Sequence, residues 1–205
     1  MQHTVPERIE QARSRWNVLE HAFYKRWSAG DLSPEELARY SGQYRHAVEA
    51  VATASAALAD QLPDHLELRE HAREEADHVA LWDGFVDAVG GSPDAAANAE
   101  TEACVAEWTR ADSPLNTLAR LYAVESGQPE ISTTKLEGLS AHYGVETDAG
   151  TAYFTLHRGR DVEHAAEGIE LLEELLAADP GAADGVVAAA EATFRANWKL
   201  LDGVG

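Results

Sequence analysis

Residues 153–164 read YFTLHRGRDVEH, in which His157, Asp161 and His164 stand four and then three positions apart. On an α-helix this spacing places the three side chains on one face. Two imidazoles and a carboxylate on one stripe can coordinate a divalent transition metal, because neutral nitrogen and anionic oxygen ligands suit iron or manganese. The alternative is a polar stripe that faces solvent. The stretch therefore predicts a helix that carries a candidate metal-binding face.

The rest of the chain shows the same helical period. Apolar residues recur at spacings of three and four, no segment alternates as a strand does, and residues 33–36 form a capping box. One all-α domain over residues 1–205 is expected, since this length buries a sizeable core. We predict helices near 5–28, 34–61, 64–89, 93–109, 114–126, 131–143, 149–177 and 182–202.

The composition excludes several classes of partner. The formal charge is −20, from 36 acidic and 16 basic residues, and would repel nucleic acid and anionic membrane surfaces. Cys104 is the only cysteine, so neither an intrachain disulfide nor a thiolate metal cluster can form. The sequence also has no apolar run long enough for a signal peptide or a membrane span. We therefore expect a cytoplasmic protein.

A second candidate ligand stretch covers residues 70–78. It contains Glu75 and His78 at the Glu-x-x-His spacing that carboxylate-bridged di-iron bundles use. His71, Glu74 and His78 also share a helix face, so the spacing leaves open whether Glu74 or Glu75 is the ligand. Taken alone, such a stretch is more often a glutamate-rich surface helix than a set of metal ligands.

Glu125 is the third candidate, because it ends an apolar segment just before the break at Gly127. A carboxylate there is expected to be buried, and burial without a partner is costly, which favours a metal or a hydrogen bond. The alternative is a helix end that faces water. The candidate ligands are three carboxylates and three histidines: Glu75, His78, Glu125, His157, Asp161 and His164. This set is sufficient for two metal ions with open positions for dioxygen.

At this point a family resemblance can be stated. It rests on residues 19–28, 122–129, 135–139 and 153–164. The chain resembles the heme-oxygenase-like metal oxidases, and most closely the para-aminobenzoate synthases similar to CADD (Chlamydia protein associating with death domains), which share a fold with TenA and PqqC. The resemblance implies a seven- to eight-helix bundle with two transition-metal ions, either two irons or iron and manganese. It also implies Glu125 as a bridging ligand, dioxygen as a substrate and an external reductant.

The same resemblance implies a specific reaction. Such an oxidase would form para-aminobenzoate from its own side chains, with Tyr24 as carbon skeleton, Lys135 as amino donor and Tyr40 as a nearby redox-active residue. From the residues alone, Tyr24 would be an aromatic packed in the bundle and Lys135 a surface lysine. Two positions depart from the family: Val124 replaces a tyrosine, and Glu75 is followed by His78 without a glycine-containing insertion.

Three other functions stay open. A related oxidase could act on an external amino acid, amine or fatty acid, and would need the ligands but neither Tyr24 nor Lys135. A metal-free TenA-like hydrolase would need a nucleophile, for which Cys104 is the only thiol. A non-catalytic binding protein would need no metal. The sequence also leaves open the electron donor and the oligomeric state, with a homodimer as one alternative.

Overall fold

The computed structural model describes residues 3–205, and every regular element in that range is helical, which confirms the all-α class. The nine α-helices of this range are α1 Val5–Arg15, α2 Ala22–Ala29, α3 Pro34–Gln61, α4 Leu66–Ala88, α5 Ala99–Trp108, α6 Pro114–Glu125, α7 Gln128–Gly138, α8 Asp148–Ala178 and α9 Ala183–Asp202. Five predicted helices, those corresponding to α3, α4, α6, α8 and α9, match to within two residues at each end.

The helix predicted over 5–28 is wrong as a single element. Helix α1 ends at Arg15, a 3₁₀ turn follows, and α2 begins after His21. The Asn17 side chain accepts a hydrogen bond from the backbone N–H of Leu19, and the His21 ring accepts one from the N–H of Phe23. These side-chain caps replace the backbone bonds that would continue the helix. The break explains why there are nine helices rather than seven or eight.

Two other predicted helices have different ends. The helix predicted over 93–109 is shorter, because α5 begins only after Asn98, whose side chain caps its first turn. The helix predicted over 131–143 begins earlier, with Pro129 in the first turn of α7. A π-helical turn follows α7 and ends at Gly144, whose φ of 65° favours glycine.

The centre of the bundle is formed by α3, α4, α7 and α8. Helix α4 packs between α3 and α8, α7 packs against α8, and α9 packs against α5 and α6. One hydrophobic core runs through these contacts and contains the fully buried rings of Trp27, Trp82, Phe85 and Phe154. No helix of the described range combines the length and the apolar character that a membrane span requires.

Helices α4 and α8 approach each other closely at Gly84. A Cβ atom on this glycine would lie 2.5 Å from the carbonyl oxygen of Ala149, at the start of α8. Only a residue without a side chain therefore fits at this point. Further along, His78 packs on His157 and His71 on His164, so the two helices run antiparallel with their histidine-bearing faces together.

The first prediction tests this approach. Gly84→Ala should lower the free energy of unfolding by ~1–3 kcal/mol, because the added methyl group must push the backbones apart. Gly159→Ala on α8 is the matched control, since a Cβ there meets nothing within 4 Å. The control should be neutral or stabilising by up to ~1 kcal/mol, as expected for alanine in a helix. Chemical denaturation of the metal-free protein measures both, and equal stability of the two variants would contradict the prediction.

Candidate metal centre

Two pairs of histidines meet where α4 faces α8. The rings of His71 and His164 lie 4.2 Å apart between centroids, and those of His78 and His157 lie 4.6 Å apart. Because the helices are antiparallel, the first histidine on α4, His71, faces the last histidine on α8, His164. In the same way, His78 faces His157. The four imidazoles therefore form two sites, one at each end of the shared face.

Glu75 lies between the two pairs. Its Oε1 is 3.5 Å from His71 Nε2 and 3.1 Å from His78 Nδ1. The possible ligand atoms around Glu75 form two groups. Within each group, all the atoms lie within 4.8 Å of one another. We name the group of His71, Glu75 and His164 the outer cluster, and the group of Glu75, His78 and His157 the inner cluster. The carboxylate of Glu75 belongs to both clusters.

Two further buried carboxylates complete the centre. Glu125, at the end of α6, has its Oε1 3.3 Å from His71 Nε2, so its expected burial is observed. Burial raises the pKa of Glu125 to about 7. Asp161 lies on α8 with neither oxygen hydrogen-bonded, and burial together with the Glu125 and Glu75 carboxylates raises its pKa to about 9. These acids retain protons unless a cation compensates their charge.

The histidines respond to burial in different ways. His157 Nδ1 donates a hydrogen bond of 2.7 Å to the Tyr153 carbonyl, which leaves Nε2 as the atom with a free lone pair. Burial lowers the pKa of His157 to about 4, so its imidazole is neutral. Burial would also lower the pKa of His71, but the Glu75 and Glu125 carboxylates outweigh it and raise that pKa to about 9. His71 is thus the cation of the metal-free centre.

The side-chain atoms of the centre that have no hydrogen-bond partner show whether a metal would fit. Buried polar atoms are nearly always hydrogen-bonded. In the described residues, seven side-chain atoms of this one site have no such partner: His71 Nε2, His78 Nδ1, Glu125 Oε1, His157 Nε2, both oxygens of Asp161 and His164 Nδ1. Nitrogen and carboxylate donors without a thiolate suit iron or manganese. The residues therefore fit a pair of transition-metal ions.

The structure brings together all six ligands predicted from the sequence and adds His71, which the sequence interpretation did not choose. Glu74 points outwards, where it accepts hydrogen bonds from Arg160, the shortest 3.0 Å, and lies 3.2 Å from His164 Nε2. Glu75 rather than Glu74 therefore faces the centre. Glu125 contacts His71 of the outer cluster, whereas Glu75 belongs to both clusters, and the bridging role expected for Glu125 stays a prediction. The ligand roles themselves stay predictions.

The other predicted residues lie in the aromatic core. Tyr24, Tyr40 and Lys135 are all buried, and Lys135 is only 1% exposed, so the surface-lysine alternative is wrong. Burial lowers the pKa of Lys135 well below its ordinary value. No carboxylate of residues 3–205 lies within 4.0 Å of its Nζ, which instead sits 4.7–5.8 Å from the centres of five rings. These rings belong to Tyr24, Tyr40, Tyr44, Trp82 and Phe154.

The aromatic core contacts the inner cluster directly. Tyr153 stacks on His157 with centroids 3.9 Å apart, and Trp82 packs edge-on against Tyr153 at 4.9 Å. Trp82 in turn lies 5.1 Å from Tyr44, which is one helical turn after Tyr40 on α3. A series of packed rings, Tyr153, Trp82 and Tyr44, therefore connects the inner cluster with the surroundings of Lys135.

The chain matches a known family over most of its length. Residues 38–198 match the family described as iron-containing redox enzyme. The chain belongs to this family. The 4-aminobenzoate synthase of Chlamydia trachomatis is 33% identical, over 91% of this chain and 85% of that protein. The 4-aminobenzoate synthase of Nitrosomonas europaea is 29% identical, over 98% of this chain and 91% of that protein.

Solved structures confirm the fold. A domain with a heme oxygenase-like fold from Shewanella denitrificans superposes with a TM-score of 0.83 at 20% identity, over 100% of this chain and 93% of that one. A TenA homologue from Pseudomonas syringae gives 0.84 at 18% identity, over 98% and 90%. The heme-oxygenase-like, TenA-like bundle is thus confirmed. Family membership makes the protein an oxidoreductase that uses iron.

The second prediction separates the two adjacent glutamates. The purified protein should bind about two transition-metal ions per chain, and Glu75→Gln should reduce this number because one carboxylate serves both clusters. Glu74→Gln is the matched control and should retain nearly full loading, since Glu74 is bonded to Arg160. His71→Ala should lose the ion of the outer cluster. Elemental analysis of desalted protein measures all three, and equal loading in both glutamate variants would contradict this arrangement.

The third prediction concerns pH. Metal ligands must be deprotonated, so binding has to displace the protons held by Asp161 and His71, each with a pKa of about 9, and by Glu125, with a pKa of about 7. Because all three values are raised, the apparent affinity should increase as the pH rises from 7 to 9. Chelator competition measures the affinity, and calorimetry in buffers of different ionisation heat counts the protons. An affinity independent of pH with no proton release would refute the assignment of these three ligands.

Proposed function

We propose that this protein is a dimetal oxidase that forms 4-aminobenzoate, for folate synthesis, from its own Tyr24 and Lys135 side chains. The observation that carries the proposal is a fully buried lysine amine among tyrosine rings, which connect through Trp82 and Tyr153 to the candidate metal centre. Its two relatives named above are 4-aminobenzoate synthases. The centre would hold two irons, or iron and manganese, and when bound this pair supplies redox chemistry with dioxygen and an external electron donor.

The surroundings of Lys135 suit an amino donor. Nitrogen transfer needs the lone pair of a neutral amine, and an ordinary lysine is protonated near neutral pH. Burial lowers the pKa of Lys135, and no carboxylate within ion-pair distance in the described range restores the charged form. Burial therefore favours the neutral amine, whose Nζ lies 5.8 Å from the centre of the Tyr24 ring.

The surroundings of Tyr24 suit oxidation in place. Burial raises the pKa of Tyr24 well above its ordinary value, so its phenol keeps its proton until an electron leaves. Tyr40 is also fully buried, and its hydroxyl has no hydrogen-bond partner among the described residues. We include Tyr40 in the proposal as a redox-active residue beside Tyr24. The packed rings exclude water, which would otherwise react with an oxidised side chain.

The alternative functions fit less well. Cys104 is buried, and burial raises its pKa, so it cannot act as the exposed thiolate that a TenA-like hydrolase would need. A non-catalytic binding protein does not agree with membership of an enzyme family. An oxidase that acts on an external amine, amino acid or fatty acid would use the same ligands, and the product test below distinguishes it. A single buried cysteine agrees with a cytoplasmic location, which is part of the proposal.

The fourth prediction tests the reaction. Metal-loaded, reduced protein exposed to air should release 4-aminobenzoate, at no more than about one equivalent per chain, because side chains are consumed. Tyr24→Phe should abolish the product, since the ring then lacks the phenol oxygen. Lys135→Arg should also abolish it, because a guanidinium stays protonated and cannot donate an amine. Mass spectrometry of the small-molecule fraction measures the product, and mass spectrometry of the intact chain measures the mass that the protein loses.

The same two types of substitution, made at other positions, serve as controls. Tyr122→Phe and Lys25→Arg change residues outside the aromatic core and should leave the yield unchanged; Lys25 is an exposed lysine. All four variants should retain metal. If protein labelled with isotopic tyrosine gives unlabelled product, or if product forms repeatedly from an added compound, the side chains are not the source. The external-substrate oxidase would then replace the proposal.

A further inference from the structure

A cavity connects the surface with the outer cluster. It has a volume of about 320 Å³ and lies between α4, α6 and α8. Its inner end is formed by His71, Glu125 and His164, which are candidate ligands of the outer cluster. The cavity does not touch the inner cluster's His78 or His157, nor Lys135. Access to the centre from solvent is therefore possible on one side.

The mouth of this cavity is acidic. Glu167, Glu170 and Glu174 are exposed, lie on one face of α8 and line the opening. No basic side chain of residues 3–205 lies within 4.0 Å of these three carboxylates. Below them the wall is apolar and includes Leu118 and Leu121. Carboxylates above low-dielectric walls focus a negative potential into a cleft and concentrate cations there.

The inner end supplies an independent sign of a cationic ligand. Glu125 and His164 are only 4% and 5% exposed, yet Glu125 Oε1 and His164 Nδ1 have no hydrogen-bond partner in the described part of the chain. Both residues line the cavity. An oxygen of the Glu125 carboxylate, which lies 3.3 Å from His71 Nε2, and a nitrogen of the His164 imidazole therefore meet at the end of an acidic channel. Such donors bind a metal cation rather than an anion.

We propose that this cavity is the route by which divalent metal ions enter the centre, with Glu167, Glu170 and Glu174 as the guiding residues. The proposal rests on the dimetal centre of the proposed function. The opposite side is closed, because Tyr153 stacks on His157 of the inner cluster and Trp82 packs behind Tyr153. An ion for the inner cluster therefore passes through the outer one, and Glu75, which belongs to both clusters, offers it a carboxylate on the way.

The experiment follows loading of the full, metal-free chain with Co²⁺, whose visible absorption reports ligation directly. The test variant is Glu167→Gln with Glu170→Gln and Glu174→Gln. The control carries Glu137→Gln, Glu146→Gln and Glu173→Gln, which remove the same charge from exposed positions outside the cavity. Stopped-flow absorbance should show loading slowed roughly tenfold in the test variant at low ionic strength, as expected for lost steering.

The control should load at nearly the wild-type rate. In ~1 M salt the difference should disappear, because screening removes the effect of the exposed charges. Both variants should reach the wild-type number of bound ions. Gly168→Leu tests the route without changing charge: the glycine lines the cavity, and a Cβ there meets only Tyr122, at 3.8 Å. A leucine side chain at this position should slow loading at every salt concentration.

Three results would overturn the route. Loading of the glutamine test variant as fast as the control would show that the acidic mouth does not guide the ion, and equal slowing of both variants would show an effect of net charge alone. A wild-type chain that binds no Co²⁺ and no Fe²⁺ would refute the dimetal centre itself, and the route with it. Product formation is not needed for any of these measurements.

Discussion

The rest of the structure depends on three carboxylates that are buried together between α4, α6 and α8. Glu75, Glu125 and Asp161 have no arginine or lysine within ion-pair distance in the described range, and the nearby Arg160 is bonded to Glu74 and Glu163 instead. Isolated buried charges are expensive, so without metal Asp161, with a pKa of about 9, holds a proton, and burial raises the pKa of Glu125 to about 7. Burial opposes the charge of Glu75, but His71 and His78 outweigh it and lower the pKa of Glu75, so this carboxylate pairs with the protonated His71. A pair of cations can replace these protons. The fold provides the enclosure, and the metal provides the charge balance.

The buried carboxylates lie between two sides of the bundle that differ in access to solvent. On the outer side, an acidic cavity reaches Glu125 and His164. On the inner side, the Tyr153 ring covers His157, and Trp82 packs behind it and forms part of the ring cage around Lys135. The burial that lowers the pKa of Lys135 also raises the pKa values of the buried phenols. An oxidase that acts on its own side chains needs this dry side, and a metal that loads from solvent needs the other.

Much of the fold and part of the centre could be predicted from the sequence. The pattern His157-x3-Asp161-x2-His164 predicts a helical ligand face, because its spacing is local. Local spacing does not decide between Glu74 and Glu75, since the answer depends on how α4 is rotated against α8 and on the ion pair of Glu74 with Arg160. His71 could have been found, because residues 71–78 repeat the pattern of residues 157–164 with Glu75 in place of Asp161. The burial of Lys135 could not, since it depends on rings contributed by α2, α3, α4 and α8.

The two ligand patterns are alike in sequence, yet they produce unequal sites. Antiparallel packing gives each cluster one histidine from α4 and one from α8, with Glu75 in common. The outer cluster gains Glu125 and opens to the cavity, whereas the inner cluster meets the stacked ring of Tyr153. The outer site is therefore richer in carboxylate and accessible to exchange, and the inner site is enclosed. Because Tyr153 of the aromatic core stacks on the inner cluster, the proposed oxidation of Tyr24 would proceed from that side, and the outer cluster, which lines the cavity, would exchange with solvent.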